Sequence, residues 1–208
     1  MNAAAAFLVV GTAAAYGCAT TLALSGAARI CDGIVPFDDG PVPGKPPVVG
    51  LIGGAALCGA ALAVRSPGVP ALAVAGLVIV ALAACWYCDT RSGIIPDLFT
   101  LLPLAIVLAI AGVARDPAPF VSAAVVFVPF ACAALLSNGR GMGWGDVKLV
   151  ALGAAVLPLS NALLALSAAC LAAAIVAAIR RRRTEPIAFA PYLSGALALT
   201  LAVPVFTR

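Results

Sequence analysis

The sequence predicts an all-α fold, a polytopic membrane helix bundle, from three observations. Of its 208 residues 64% are hydrophobic and only 10% are charged, a composition far too apolar for a soluble domain. The apolar residues form continuous runs without strand-like alternation, which favours membrane helices over a transmembrane barrel. Charged residues, prolines and glycine clusters divide these runs into eight segments, most close to the ~20 residues a span needs. About eight transmembrane helices are expected, six to eight with the short ones discounted, in a single membrane-embedded domain over residues 1–208.

The first segment, Ala3–Leu24, resembles a secretory signal in apolarity. No lysine or arginine precedes it and it exceeds the usual signal core, so it reads as a retained helix. Gly17-Cys18 lacks the basic region a lipid-attachment signal requires. Residues 25–47 carry Arg29, Cys31, Asp32, Asp38, Asp39 and Lys45 among prolines and glycines, and read as an irregular cytoplasmic loop. Val48–Val64 and Pro70–Cys88 follow, joined by a short link, as are Leu98–Ala114 and Phe120–Leu136. Such short links make their flanking segments antiparallel neighbours. Val147–Leu157 is brief and ends before Pro158, and Asn161–Ile179 and Ala190–Phe206 complete the set.

Placing successive links on alternate sides gathers Arg29, Lys45, Arg91, Arg140, Lys148 and Arg180 to Arg183 on one face. The other face keeps Arg65, Arg115 and Arg208. The first face is therefore expected in the cytoplasm, with both termini outside. The net charge of +4 reflects the cluster Arg180 to Arg183 beside an apolar run, so nucleic acid is not an expected partner. Most of the seven cysteines lie inside apolar segments and read as small packing residues. Cys85 and Cys88 form one C-x-x-C without a second pair, and the chain has no histidine, so no structural zinc is expected.

Two acids interrupt this apolar chain on the same expected face. Asp146 ends a glycine-rich turn in residues 137–148, where four glycines in seven residues permit positive φ or a close approach by another helix. Asp89 opens a second polar stretch, residues 89–97, at the end of Pro70–Cys88. Carboxylates at the mouths of membrane-length segments are costly, which makes them functional candidates. Two carboxylates held close share a proton and offer a base and an acid together, as peptide hydrolysis requires. The same positions also suit interfacial helix caps, and spacing alone does not separate the two. No histidine serves a triad, no H-E-x-x-H a zinc protease and no G-x-S-x-G a nucleophile elbow.

The run Gly141-x-Gly143-x-Gly145-Asp146-Val147-Lys148 resembles the G-x-G-D signature of the type IV prepilin leader peptidases, which are membrane aspartic proteases. Asp89 followed by Ile95-Pro96-Asp97 and Thr100 resembles that family's first motif, and Pro186 to Leu193 resembles the segment ahead of its last helix. The resemblance runs from about Leu77 to the C-terminus. It implies catalytic roles for Asp89 and Asp146, with motif support from Gly141, Gly143, Gly145, Lys148, Pro96 and Asp97. Gly143 and Gly145 would shape the catalytic turn. Asp97 suits a helix N-cap rather than catalysis, and Lys148 either tunes Asp146 or extends to the interface. Substrate-binding residues are not identified, although Asp32, Asp38, Asp39 and Glu185 offer acidic charge for a basic leader or simply solvate loops.

The implied function is removal of a short basic leader from prepilin or pseudopilin precursors at the cytoplasmic face of a bacterial inner membrane. The lipid bilayer and the precursor are the expected partners, and no cofactor or metal is expected. Larger family members also N-methylate the mature pilin and carry two C-x-x-C pairs in a cytoplasmic loop. Residues 25–47 hold only Cys31, so a short form without methyltransferase activity is expected. The alternative is a noncatalytic membrane protein or small transporter whose paired acids bind a proton or cation.

Overall fold

The computed structural model describes residues 3–33, 44–65, 68–136, 143–180 and 188–203. Among them are eight α-helices, one 3-10 turn and no strand. The helices are α1 Ala3–Asp32, α2 Val48–Val64, α3 Val69–Ser92, α4 Leu101–Ala114, α5 Ala118–Leu136, α6 Trp144–Val156, α7 Leu159–Arg180 and α8 Ala190–Ala202. The 3-10 turn, Asp97–Phe99, leads into α4. Five segments are long and apolar enough to cross a membrane: α1, α3, Asp97–Ala114, α5 and residues 159–179 of α7. The chain is a multi-pass helical membrane protein.

Local chemistry sets the helix ends. Pro70 sits in the first turn of α3, where its missing N–H costs nothing. Gly93 stops the same helix at φ 66°, its N–H donating to the carbonyl of Asp89 at 2.9 Å. The α4–α5 corner turns on Arg115, left-handed at φ 55°. The Arg115 and Asp116 N–H groups bond back to Gly112 and Ala111, and the Asp116 carboxylate accepts the Ala118 N–H at 3.0 Å. Each acid-bearing helix is longer than its apolar run: α3 takes Asp89 into its last turn, and α6 begins at Trp144 with Asp146 in its first.

The polar stretch 25–32, expected as part of a 25–47 loop, is instead the last two turns of α1. Its helical face explains why, since Leu24, Ala27 and Cys31 recur at helical spacing and pack with Ala83, Ala84, Tyr87 and Cys88 of α3. At ~1.5 Å per residue this 30-residue helix is roughly 45 Å long, more than a bilayer's hydrocarbon core, so its polar end projects beyond it. Asp38 and Asp39 lie outside the described residues, as do Arg181 to Arg183 and Glu185.

The core is built around α3, α6 and α8. Leu149 and Leu152 of α6, Val78 and Leu82 of α3 and Leu193 and Leu197 of α8 are buried together. Helix α6, only 13 residues long, is apolar on all sides after Lys148 and buries Val147 to Ala155 apart from that half-buried lysine. A helix apolar all round belongs inside a bundle.

Candidate active site

One end of the bundle collects the polar chemistry. The C-terminal ends of α1 and α3 meet there with the N-terminal ends of α2, α6 and α8. Gly44, ahead of α2, donates its N–H to the Thr90 carbonyl at 2.8 Å, and Arg91 pairs with Asp32 of α1 at 2.5 Å while donating to the Tyr87 hydroxyl at 2.7 Å. Both acids singled out in the sequence are at this end. Asp89 and Asp146 are 57 positions apart in the chain, yet α3 touches α6 and the two carboxylates are close enough for their charges to interact. The Cys85 thiol, one turn before Asp89, lies within electrostatic reach of both.

Neither aspartate is an ordinary cap of its own helix. Asp89 stands at the carbonyl end of α3, where a carboxylate gains nothing from that helix's dipole. It is buried, and its carboxylate accepts the backbone N–H of Ala190, the first residue of α8. A free N–H group at the start of one helix is thus satisfied by a side chain from the end of another. Asp146 sits in the first turn of α6, where Gly143 holds the capping position. Each carboxylate keeps one buried oxygen, Asp89 Oδ2 and Asp146 Oδ1, with no hydrogen-bond partner among the described residues. Buried polar atoms are nearly always paired, so two such oxygens on neighbouring acids set this end of the bundle apart.

Neither described glycine of the G-x-G-D motif has positive φ, and Gly145 acts by closeness. Gly143 is extended at φ −71°, and Gly145 lies within the helix; among the described residues only Gly68 and Gly93 are glycines of positive φ. A Cβ on Gly145 would meet the Ile95 side chain at 2.9 Å, so glycine there lets α6 press against the segment that follows α3. Gly141 lies outside the described residues. Pro96, at φ −64°, precedes the 3-10 turn.

Asp97 differs from the N-cap expected of it. Pro96 occupies the capping position, and Asp97 is the first residue of the turn with no side-chain cap bond there. Its carboxylate instead binds Lys148 Nζ at 2.5 Å, which also accounts for Lys148, a residue expected to extend outward or to act on Asp146. Sequence reasoning missed Ala190, Ile95 and Cys85 as neighbours of the acids. An alanine, an isoleucine and a cysteine in apolar runs carry no sequence signal for such roles. Thr100, part of the first motif, is fully buried, and its hydroxyl faces the Asp97 carbonyl at 3.4 Å.

Residues 76–178 match the sequence model of the type IV leader peptidase family. The match spans both acids, from within α3 to the end of α7. No curated protein and no solved structure matches the chain.

Proposed function

Since the chain belongs, through residues 76–178, to the type IV leader peptidase family, we propose that Asp89 and Asp146 are its catalytic pair. The substrate in this reading is a prepilin or pseudopilin precursor, whose short basic leader is removed at the cytoplasmic face of a bacterial inner membrane. The observation that carries it is the meeting of two acids from α3 and α6, Asp89 buried and Asp146 partly buried, each with one buried oxygen unpartnered among the described residues. One carboxylate takes a proton from water as the water oxygen attacks the scissile carbonyl carbon. The other protonates the carbonyl oxygen, giving a tetrahedral intermediate. Its collapse breaks the C–N bond as the nitrogen takes up a proton, leaving a new carboxyl on the leader and an amine on the mature protein.

The half-exposed Lys148, Arg91 and Asp32 around this end keep it polar and in contact with water, as hydrolysis needs. Orientation follows from the basic residues at the same end, including Arg29, Lys45 and Arg91. A reporter fused after Arg208 should be active outside the cytoplasm; cytoplasmic activity there would reverse the assigned face. Because Cys31 is buried in α1, where its sulfur accepts from the Ser92 hydroxyl at 3.8 Å, it is not part of a cysteine-rich loop, and cleavage without methylation is the proposed activity.

The deciding experiment incubates the purified protein with a prepilin-like precursor and follows leader release by mass spectrometry. Release that is lost in Asp89→Asn and in Asp146→Asn supports the protease. Acid-dependent proton or cation flux in reconstituted vesicles, without cleavage, would replace it with an ion-binding role.

A further inference from the structure

Asp89 and Asp146 stand on helices that share a core with α8, and at the polar end a further segment bridges the two helices beside the acids. Residues 93–100 contact both helices at positions flanking both acids. On the α3 side, the segment leaves directly from Gly93, and the Phe99 carbonyl lies 3.6 Å from the Cys85 sulfur, one turn before Asp89. On the α6 side, Ile95 rests against Gly145, immediately before Asp146, and Asp97 binds Lys148, two residues after it. Thr100, fully buried, anchors the far end.

We propose that residues 93–100 form a strap that sets the separation of the two carboxylates, and that the Asp97–Lys148 ion pair is its fastening. Asp97 and Lys148 are then positioning residues, acting through Asp146 rather than on the substrate. This rests on the assignment of Asp89 and Asp146 as the catalytic pair. The exposure of the ion pair, 59% for the Asp97 side chain and 26% for Lys148, argues against a role in overall stability, since pairs this open to solvent contribute little. Alignment responds differently, because a displacement of about 1 Å at reacting groups can cost about 100-fold in rate. A bond too weak to hold the fold together is therefore sufficient to matter for catalysis.

The test is a charge-exchange cycle on the full-length protein in detergent. Lys148→Ala and Asp97→Asn should each lower kcat by about 10- to 100-fold, with KM and thermal stability near wild type. The exchanged protein, Asp97→Lys with Lys148→Asp, should recover most of the lost kcat. Wild-type kcat in either single variant would overturn the strap, as would a folded exchanged protein no better than Lys148→Ala. A second readout does not depend on cleavage. Spin labels at Leu98→Cys and Trp144→Cys, in a protein whose exposed Cys18, Cys132 and Cys170 are alanine, report the distance from strap to α6. The distribution should be narrow in the parent, broader with Lys148→Ala and narrow again after charge exchange; no broadening with Lys148→Ala would overturn the strap. If the wild type fails to cleave, or a well-folded Asp89→Asn protein does cleave, the catalytic assignment fails. The spin-label distances then decide the strap alone.

Discussion

Helices α3 and α7 are both longer than twenty residues and both apolar enough to span a bilayer, but they occupy different surroundings. Of their most apolar 18-residue windows, 56% of the α3 window is buried in protein and only 22% of the α7 window. Moreover, the buried face of α7 is mostly alanine, with Leu166 beside it. Ala162, Ala165 and Ala169 are buried, while Leu163, Leu171 and Ile175 are exposed on the surface that a bilayer would cover. The difference follows from the solvent. Lipid is as apolar as leucine, so hydrophobicity does not decide which face turns inward, and small residues are chosen where helices must approach closely. An acid is not free to face lipid, and Asp89 and Asp146 therefore report the interior more reliably than any apolar residue does.

The strongest way to break this comparison is to neutralise the acids. Asp89→Asn and Asp146→Asn should each reduce cleavage by about 10²- to 10⁴-fold, measured as leader release by the purified protein. The double variant should be little worse than either single one, because residues that act as a unit are not additive. Detergent-extracted yield and monodispersity must remain near wild type for the comparison to count. Substantial cleavage by a well-folded single variant would remove that aspartate from the pair.

A smaller effect is expected where α6 meets the segment after α3. Gly145→Ala forces a Cβ against Ile95, and the displaced acid should lose up to about 100-fold in kcat. Adding Ile95→Gly removes the Ile95 Cβ that stands 2.9 Å away, along with the atoms beyond it, and should restore most of the rate. If the double variant is as slow as Gly145→Ala, the contact with Ile95 is not what glycine provides at this position.

Much of this arrangement was legible in the sequence, and the missing parts have physical causes. The eight helices could be read because charges and prolines interrupt the apolar runs, and the acids because few carboxylates occur in such a chain. The end of α1 was not legible, since Arg29 and Asp32 give residues 25–32 the composition of a loop. Ala27 and Cys31, which with Leu24 hold them helical against α3, look like ordinary loop residues until their partners are known. The partners of the acids were hidden for a related reason. The Ala190 N–H that Asp89 accepts is a backbone group, invisible in residue type. Asp97 was recognisable as part of a motif, but its bond to Lys148 joins positions 51 apart and depends on the fold.

Packing gives a third contrast, read in stability rather than in rate. Leu152 of α6 is completely buried, whereas Leu171 of α7 is 63% exposed on the outer surface. Leu152→Ala should destabilise the protein by about 2–5 kcal/mol through the lost contacts and the cavity left behind. Leu171→Ala should stay within about 0.5 kcal/mol. Thermal unfolding in detergent checks both, and equal losses would mean that α7 is not an outer helix.

The smallest expected effect separates the two ion pairs at the polar end. Arg91–Asp32 and Lys148–Asp97 have the same 2.5 Å contact, and both are open to solvent. They join different things. Asp32 lies on α1, before the region that matches the peptidase family, and ties the projecting end of that helix to α3. Its removal leaves the Leu24, Ala27 and Cys31 face packed as before, and Arg91 retains its bond to the Tyr87 hydroxyl and its place over that ring, 5.9 Å from the centroid. An exposed pair whose charged partner keeps other contacts has little to lose. Asp32→Asn should therefore leave kcat within about twofold of wild type, with a stability change near the limit of detection. A loss of kcat as large as that of Lys148→Ala would show that α1 shares in aligning the acids, and the distinction between the two ion pairs would fall.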